Sequence, residues 1–315
     1  MCNTKNQPRI AVIGLGGVGG YLASMLCRTY NSVTVIARGA RFDAIQSKGL
    51  VLHSDLHGEI HSEPSLVLQS AQELEEQDYI FICVKNYSLE ELLPQMKKAV
   101  GENTVLIPVM NGVDPSDRVK AAFPTATVVK SLIYIVAFAN PDYSISQKGQ
   151  VPSLRLGIPN PDEREAGIAA YISGLLTKAG IPNQVPEDIT LAVWKKYVLN
   201  CAYNVETAYY DTTIGPLQDD PVRTSEYEAL VREAYSVAIA MGVPMVPEDC
   251  QSIIDRFYTY EYDASSSLQR DLHAGKPAEV ETFSGYIVRQ AKALGIDVPV
   301  SEKMYKGLKS AVHPY

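Results

Sequence analysis

The sequence predicts an α/β protein in which a doubly wound, largely parallel sheet is followed by an all-helical C-terminal half. Up to about Leu156, short β-branched runs alternate with helix-like stretches, which is typical of βαβ units. After about Pro186, long amphipathic segments are separated by Gly-Pro, Gly-Val-Pro and Gly-Lys-Pro turns, which indicates helices. A length of 315 residues suits two domains of about 150 residues each. We place the boundary between Gly180 and Glu187, which gives domains 1–184 and 185–315.

In the first half, strands are assigned where β-branched residues cluster, and helices where apolar residues recur with helical periodicity. A hairpin is predicted over Gly49–His61 with its turn at Asp55–Gly58, because turn-forming residues separate two short strand-like runs. The predicted strands are Ile10–Ile13, Val33–Ile36, Tyr79–Val84, Thr104–Ile107 and Thr127–Val129. The predicted helices are Val18–Arg28, Ala40–Gln46, Leu89–Ala99 and Pro115–Ala122, followed in the second half by Glu187–Ala208, Arg223–Met241, Pro247–Asp263 and Ala278–Leu294.

Charge, hydropathy and cysteine content exclude several classes of function. The chain has 28 Lys and Arg against 36 Asp and Glu, a net charge of −8, which argues against a broad nucleic-acid surface or an anionic membrane partner. The longest apolar run, Leu132–Ala139, is far shorter than a membrane span of about 20 residues. The polar N-terminus lacks the apolar stretch of a secretory signal. An odd number of cysteines without CxxC spacing predicts reduced thiols, no metal site and a cytoplasmic protein; they are Cys2, Cys27, Cys83, Cys201 and Cys250.

A glycine-rich loop follows the first predicted strand and precedes a helix. It reads Gly14-Leu15-Gly16-Gly17-Val18-Gly19, a GxGxxG motif in the context that makes this motif informative. Gly14 permits a tight turn, Gly16 lets the backbone approach a pyrophosphate, and Gly19 allows the helix to pack closely on the strand. The N–H groups and dipole of the helix N-terminus attract an anion without any basic side chain. The loop therefore predicts a Rossmann-type domain that binds a dinucleotide.

The residue after the second strand indicates which dinucleotide binds. NAD sites usually carry an Asp or Glu about 20 residues after the glycine motif, where it contacts the ribose. This chain instead has Arg38, in the segment Val33-Thr-Val-Ile-Ala-Arg-Gly. A guanidinium suits the 2′-phosphate of NADP(H), and no carboxylate stands near it in the sequence. NADP(H) is therefore predicted, with a solvated loop arginine as the alternative interpretation.

Three polar residues lie along one side of an otherwise apolar helix in the second half. Lys196, Asn200 and Asn204 are spaced i, i+4 and i+8, between two apolar faces. A helix of this kind is buried, so its polar groups need partners other than bulk water. A desolvated lysine has a lowered pKa and acts as a proton donor, and amides bind a polar substrate. Lys196 is preferred to Lys195, which points about a quarter-turn away; a solvated helix edge is the alternative.

Several segments spread over the chain match the motifs of one family. In the first half they are the GxGxxG loop, Ala-Arg38-Gly, Val-Lys85-Asn and Met-Asn111-Gly. In the second half they are Trp-Lys-Lys196-x-x-x-Asn200-Cys-x-x-Asn204 and Ser267-Leu-Gln-Arg-Asp271-Leu-x-x-Gly-Lys-Pro-x-Glu279-Val. With these motifs the chain resembles the ketopantoate reductase (2-dehydropantoate 2-reductase) family over essentially its whole length. The resemblance implies an NADP-binding Rossmann domain, a helical C-terminal domain and an active site in the cleft between them.

The resemblance also implies a reaction and a role for each matched residue. The reaction is the reduction of 2-dehydropantoate to (R)-pantoate, a step of pantothenate and coenzyme A biosynthesis. NADPH gives a hydride to the keto carbon, and Lys196 protonates the developing alkoxide. The implied substrate contacts are Lys196, Asn111, Asn200, Asn204 and Ser267. The implied cofactor contacts are the glycine loop, Arg38, Lys85, Asn111 and Glu279, the last of which also orients the lysine.

Several alternatives stay open at the level of sequence. The family usually carries Asn-Gly where this chain has Ile214-Gly215, so a related 2-keto acid fits as easily as ketopantoate. A β-hydroxyacid dehydrogenase also presents Lys-x-x-x-Asn on a helix, but it would not need the segment from Ser267 to Glu279. A non-catalytic NADP(H)-binding redox sensor would keep the glycine loop and Arg38 but has no reason to bury Lys196. The sequence leaves the oligomeric state open, a homodimer included.

Overall fold

The computed structural model describes residues 7–311, and these form two compact units. One unit extends to Ile189 and the other begins at Thr190. None of the helices within residues 7–311 combines the length and the apolar character needed to cross a membrane. Cys2 lies outside the described residues, and the other four cysteines are free thiols, of which Cys201 and Cys250 are buried.

Eleven strands occur within residues 7–311, all of them in the first unit. They are β1 (Ile10–Ile13), β2 (Val33–Ile36), β3 (Leu50–Ser54), β4 (Gly58–Ser62), β5 (Leu66–Leu68), β6 (Tyr79–Ile82), β7 (Val105–Pro108), β8 (Thr127–Val128), β9 (Lys130–Ala139), β10 (Ile145–Gly157) and β11 (Asn183–Gln184).

The α-helices of the described chain are α1 (Gly17–Cys27), α2 (Ala40–Lys48), α3 (Leu89–Leu92), α4 (Pro115–Ala122), α5 (Glu163–Lys178), α6 (Ile189–Tyr209), α7 (Ile214–Gln218), α8 (Pro221–Ala240), α9 (Pro247–Phe257), α10 (Ser267–His273), α11 (Tyr286–Leu294) and α12 (Pro299–Ala311). Short 3₁₀ turns cover Ala71–Glu73, Asn86–Ser88 and Leu93–Met96, and a π-helical turn covers Glu281–Gly285.

Six strands form a parallel sheet in the order β5-β2-β1-β6-β7-β8. All neighbours are parallel, and β1 pairs with β2 on one side and β6 on the other. The strand order reverses between β1 and β6, so the loops after these two strands flank the switch point at which open α/β sheets bind ligands. The predicted parallel sheet and helical C-terminal part are confirmed, although β6 ends at Ile82 rather than Val84.

A second sheet was not predicted. The hairpin β3–β4 forms as expected, but it continues through β10 to β11, and β9 pairs antiparallel with β10. From Leu132 onward, the sequence of β9 is a continuous apolar run, and such a run does not distinguish a buried strand from a buried helix. Gly149 and Pro152 interrupt the strand pattern of β10, where the register shifts between Lys148 and Ser153.

Helix α1 contacts strands of both sheets and is therefore buried nearly all round. Its side chains Tyr21, Leu22, Met25 and Leu26 are at most 1% exposed. At this helix the cores of the two sheets join in one cluster. The second sheet thereby fixes α1, whose N-terminus is the glycine-rich loop.

Three predicted helices differ from the observed ones in their bounds or in their helical form. The helix predicted over Leu89–Ala99 is α3 followed by a 3₁₀ turn, because Pro94 lacks an N–H and obstructs the preceding turn. The helix predicted to reach Asp263 ends at Phe257, the last buried residue of its apolar face, after which Tyr258 is exposed. The helix predicted over Ala278–Leu294 begins with the π-helical turn at Glu281–Gly285.

Candidate functional site

The glycine-rich loop lies between β1 and the N-terminus of α1. Gly14 has φ +92°, a conformation that favours glycine, and a Cβ there would approach the backbone of Cys83 to 2.8 Å. A Cβ at Gly19 would collide with the carbonyl oxygen of Gly14, so the helix packs on the strand as closely as the motif predicts. Leu15 is buried and Val18 half-buried on the helix side. The loop is thus compact, with its backbone held by its own glycines.

The space above Gly16 is open, and this suits a phosphate group. A Cβ built on Gly16 would have no atom within 4 Å. The N-terminus of α1 has no side-chain cap and no acidic residue in its first turn. Its N–H groups and positive dipole end are therefore available to an anion. The residues present fit a dinucleotide pyrophosphate.

Gly17 is required for a different reason. A Cβ at this position would collide with the backbone carbonyl of Ala137 in β9. The strand of the second sheet therefore lies against the first turn of α1, and only a glycine permits this approach.

Two arginines stand beside the loop. Arg38 follows β2 and is exposed, and it forms no ion pair or hydrogen bond with any residue from 7 to 311. Arg41, in the first turn of α2, donates a hydrogen bond from Nη1 to the carbonyl of Leu15 and lies over the ring of Tyr143. The free guanidinium of Arg38 is the group expected to meet a 2′-phosphate.

Lys85 and Asn111 follow the neighbouring strands β6 and β7. Both are half-buried, and Lys85 directly precedes the 3₁₀ turn Asn86–Ser88. The two loops are joined because Nδ2 of Asn86 donates to the carbonyl of Asn111 over 2.8 Å. These residues therefore lie at the carboxyl edge of the sheet, within the same unit as the glycine loop and Arg38.

Lys196 and Glu279 form the charged part of a second group of residues, in the helical unit. Lys196 lies on α6 and is half-buried, whereas Glu279, just before the π-helical turn, is 5% exposed. Burial lowers the pKa of Lys196 from its ordinary value to about 8, and the carboxylate of Glu279 opposes this by favouring the charged ammonium. Lys195 is also half-buried but is paired with Asp249, Nζ to Oδ1, at 2.6 Å.

The polar line on α6 continues from Lys196 to α10. Asn204 accepts hydrogen bonds at Oδ1 from Oγ of Ser267 (3.1 Å) and from N of Leu268 (3.3 Å). Within residues 7–311, neither Nδ2 of Asn204 nor the side chain of Asn200 makes a hydrogen bond. The structure therefore joins Asn204 to Ser267 and leaves amide donors for a bound oxygen atom.

Two models of one family match this chain. The model described as Ketopantoate reductase PanE/ApbA matches residues 10–160, and its C-terminal counterpart matches residues 188–311. The chain belongs to the ketopantoate reductase family. It is accordingly an oxidoreductase of that family, with the fold of its members.

Individual relatives in the ketopantoate reductase family are distant but similar over nearly the full length. The uncharacterized oxidoreductase YkpB of Bacillus subtilis is 28% identical, covering 96% of this chain and 98% of its own. The 2-dehydropantoate 2-reductase of Mesorhizobium japonicum is 25% identical over 87% of this chain and 89% of its own. The solved PanE/ApbA family ketopantoate reductase of Ralstonia eutropha has a TM-score of 0.85 at 26% identity, covering 96% of this chain and 97% of its own.

One position departs from the ketopantoate reductase pattern. Ile214 is fully buried at the start of α7, and its backbone N donates to the carbonyl of Ala264 over 3.0 Å. Gly215 follows it against the ring of Tyr262, where a Cβ would collide. The side chain at this position is thus apolar and buried, where the resemblance leads us to expect an amide.

Sequence reasoning missed the residues that support the ketopantoate reductase motifs. The hydroxyl of Tyr197 donates to the carbonyl of Thr282 over 2.6 Å, and the ring of Tyr197 contacts those of Trp194 and Tyr286 edge to face. This bond ties α6, beside Lys196, to the π-helical turn that follows Glu279. A π-helical turn often marks a functional site, but no pattern in the sequence announces it.

Proposed function

We propose that this chain reduces 2-dehydropantoate, or a closely related 2-keto acid, to the 2-hydroxy acid with NADPH, and that Lys196 is the general acid. The observation that carries the proposal is the half-buried Lys196, with a pKa lowered to about 8, beside the buried carboxylate of Glu279 and the amides of Asn200 and Asn204. Membership of the ketopantoate reductase family supports the reaction class.

The chemistry assigns a separate task to each group of residues. NADPH, when bound, supplies the hydride that reduces the keto carbon. Nζ of Lys196 donates its proton to the carbonyl oxygen as that oxygen gains negative charge, and the lysine is left as a neutral amine. A pKa near neutrality suits this task because the acid is protonated at rest and still gives up its proton readily. The amide N–H groups of Asn200 and Asn204 donate to oxygen atoms of the substrate.

The activity test compares Lys196→Ala with the matched neighbour Lys195→Ala. NADPH oxidation is followed with ketopantoate and other 2-keto acids. We expect kcat to fall by at least about 100-fold in Lys196→Ala, because a general acid contributes that much, and to stay unchanged in Lys195→Ala. No turnover of any 2-keto acid, or near-normal kcat in Lys196→Ala, would overturn the proposal. Binding of NADPH without turnover would favour the redox sensor.

The cofactor preference rests on Arg38 and on the absence of any carboxylate paired with it among residues 7–311. We expect Arg38→Ala to weaken NADPH binding by about 10- to 100-fold and to leave NADH binding unchanged. The reason is that the variant loses the hydrogen bonds to the charged 2′-phosphate, whose contribution to binding corresponds to about that factor. Arg28, exposed at the other end of α1, provides the control Arg28→Ala. Equal preference for NADPH and NADH in wild type and in Arg38→Ala would contradict the assignment.

The identity of the 2-keto acid turns on Ile214. Because an isoleucine cannot bind a hydroxyl group, we propose that the substrate pocket is less selective for the hydroxyl of ketopantoate than is usual in the family. The test compares ketopantoate with 3,3-dimethyl-2-oxobutanoate, which differs only by lacking that hydroxyl. Similar kcat/KM values for the two support the proposal, and a preference for ketopantoate above about 10⁴-fold, typical of a site built to bind a hydroxyl, would contradict it.

We also propose a homodimer. A structure of ketopantoate reductase from Staphylococcus aureus, described in its title as dimeric, has a similar fold, with a TM-score of 0.80 at 21% identity. Light scattering coupled to size-exclusion chromatography measures the mass in solution, and a single-chain mass near 34.5 kDa would overturn the proposal.

A further inference from the structure

The loops after β6 and β7 are held together by Asn86, the last residue of the Val-Lys85-Asn motif, to which the resemblance assigns no role. Asn86 follows Lys85 at the carboxyl edge of the parallel sheet and is 7% exposed. Its Nδ2 donates to the carbonyl of Asn111 over 2.8 Å. The bond joins residues 25 positions apart, across the two adjacent loops.

Arg118, on α4, fixes the orientation of Asn86. Nη1 donates to Oδ1 of Asn86 over 3.0 Å, and Nη2 donates to the backbone carbonyl of the same residue over 3.2 Å. The third donor, Nε, binds Oε1 of Glu90 at 2.9 Å. Since a guanidinium only donates, it holds the amide oxygen of Asn86 toward itself and turns the NH₂ group toward Asn111.

The bond to Asn111 sets the direction of one peptide plane. A trans peptide points its C=O and N–H in opposite directions, so fixing the carbonyl of Asn111 also aims the N–H of Gly112 away from Asn86. Gly112 has φ +98°, a region open to glycine, and glycine neighbours leave a peptide free to rotate. Arg118 and Asn86 remove that freedom at the edge where the sheet binds ligands.

We propose that Arg118 and Asn86 are positioning residues for the dinucleotide, acting through the Asn111–Gly112 peptide and the adjoining Lys85. This inference rests on the proposed function, since it assigns the cofactor to this edge. It differs from that proposal in naming a support that neither donates a proton nor contacts the 2′-phosphate.

The test uses variants that separate positioning from folding. Asn86→Asp keeps the side-chain and backbone oxygens that accept from Arg118, and it adds a negative charge to the side chain. It replaces the NH₂ group that donates to Asn111 with an oxygen, which repels the carbonyl of Asn111. Arg118→Lys removes part of the pair of donors that bind Asn86, and Arg118→Ala removes both donors. Arg9→Ala is the matched control, because Arg9 binds Glu76 and Asp78 at the opposite, amino end of the sheet.

Two measurements are made on each variant: amide hydrogen exchange of residues 109–114 without nucleotide, and NADPH affinity with kcat and KM. We expect faster exchange at 109–114 and about fivefold weaker NADPH binding in Asn86→Asp and Arg118→Ala, the value of one hydrogen bond. A smaller effect is expected in Arg118→Lys, and none in Arg9→Ala. The melting temperature of Asn86→Asp should stay close to wild type.

Unchanged exchange at 109–114 in Asn86→Asp and Arg118→Ala overturns the inference, whatever nucleotide the protein uses. Faster exchange with unchanged NADPH affinity and kcat overturns it as well, because Arg118 and Asn86 would then have only a structural role. If the wild type binds neither NADPH nor NADH, the proposed function fails, and the role of Arg118 and Asn86 in positioning the cofactor fails with it. The exchange result on the nucleotide-free protein keeps these outcomes distinguishable.

Discussion

Lys196 and Glu279 form a pair that would set the pH dependence of the proposed reaction. Burial disfavours the ammonium of Lys196, and the carboxylate of Glu279 favours it, which together bring the pKa of Lys196 to about 8. In the proposed role of general acid, Lys196 must be protonated before the reaction. The rate of ketone reduction is therefore expected to fall as the pH rises through about 8.

Glu279→Gln tests this balance. Removing the carboxylate leaves burial unopposed, so the pKa of Lys196 drops further and the fall in kcat moves to lower pH. The measurement is kcat for keto-acid reduction between about pH 6 and 9.5, under saturating NADPH. Glu281→Gln is the control, since Glu281 is occupied by Arg289 and Tyr305. An unshifted profile in Glu279→Gln would show that Glu279 does not act on Lys196.

Residue-level prediction succeeded where a helical period carried the information. The period placed Lys196 and Asn204 on one side of α6 and turned Lys195 away, and Lys195 is indeed paired with Asp249 outside that line. The contacts of Asn86 with Arg118 follow no period, because 32 residues separate them. Only the folded loops bring such partners together. The roles of the matched site residues remain predictions.

At the scale of elements, the glycine loop and β9 depend on each other. Gly16→Ala would meet open space, whereas Gly17→Ala would collide with the carbonyl of Ala137 in β9. We expect Gly16→Ala to keep the melting temperature and weaken dinucleotide binding, because the methyl group occupies the space of the pyrophosphate. Gly17→Ala should lower the melting temperature, because overpacking reduces the free energy of unfolding by about 1–3 kcal/mol. Calorimetry and nucleotide titration of both variants check this, and equal melting temperatures would contradict it.

The elements that were predicted well are those with one strong pattern. The four central strands β2, β1, β6 and β7 of the parallel sheet are buried apolar runs, and each was predicted to within about two residues. The edge strand β5 (Leu66–Leu68) was not predicted, because it is only three residues long and partly exposed. The strand β10 was missed because Gly149 and Pro152 lower its strand propensity, while its pairing with β9 supplies the hydrogen bonds. A partner strand is information that a local window does not contain.

At the scale of the whole molecule, the negative charge and the anionic ligands are compatible. The chain carries a net charge of −8, yet the proposed ligands meet a helix N-terminus, Arg38 and Lys196, which act locally. Several carboxylates elsewhere pair with surface cations, as Glu226 does with Lys303. Composition predicted the exclusion of broad polyanion binding but could not indicate where the local cations lie.

Global stability is expected to depend on one buried carboxyl, Glu206, on the same helix as Lys196. Glu206 is 0% exposed, and neither of its oxygens has a hydrogen-bond partner among residues 7–311. Burial, with a smaller contribution from the nearby carboxylate of Glu226, raises the pKa of Glu206 to about 9. The unfolded chain has an ordinary carboxyl pKa of about 4.3. Between these values the unfolded state releases a proton that the folded state keeps, so stability falls as the pH rises.

Glu206→Gln removes this titration while keeping the shape of the side chain. We expect the variant to be more stable than wild type at pH 8, by on the order of 2 kcal/mol, and the difference to shrink toward pH 4, where both states of the wild type are protonated. Urea unfolding at several pH values measures it. Glu261→Gln, at an exposed position between α9 and α10, is the control that should change little. Within the described chain, no cation or donor binds the oxygens of Glu206, so its surroundings favour the neutral carboxyl. If the stability of the wild type did not decline between about pH 5 and 8 relative to Glu206→Gln, Glu206 would be ionised in the folded protein and the prediction would be wrong.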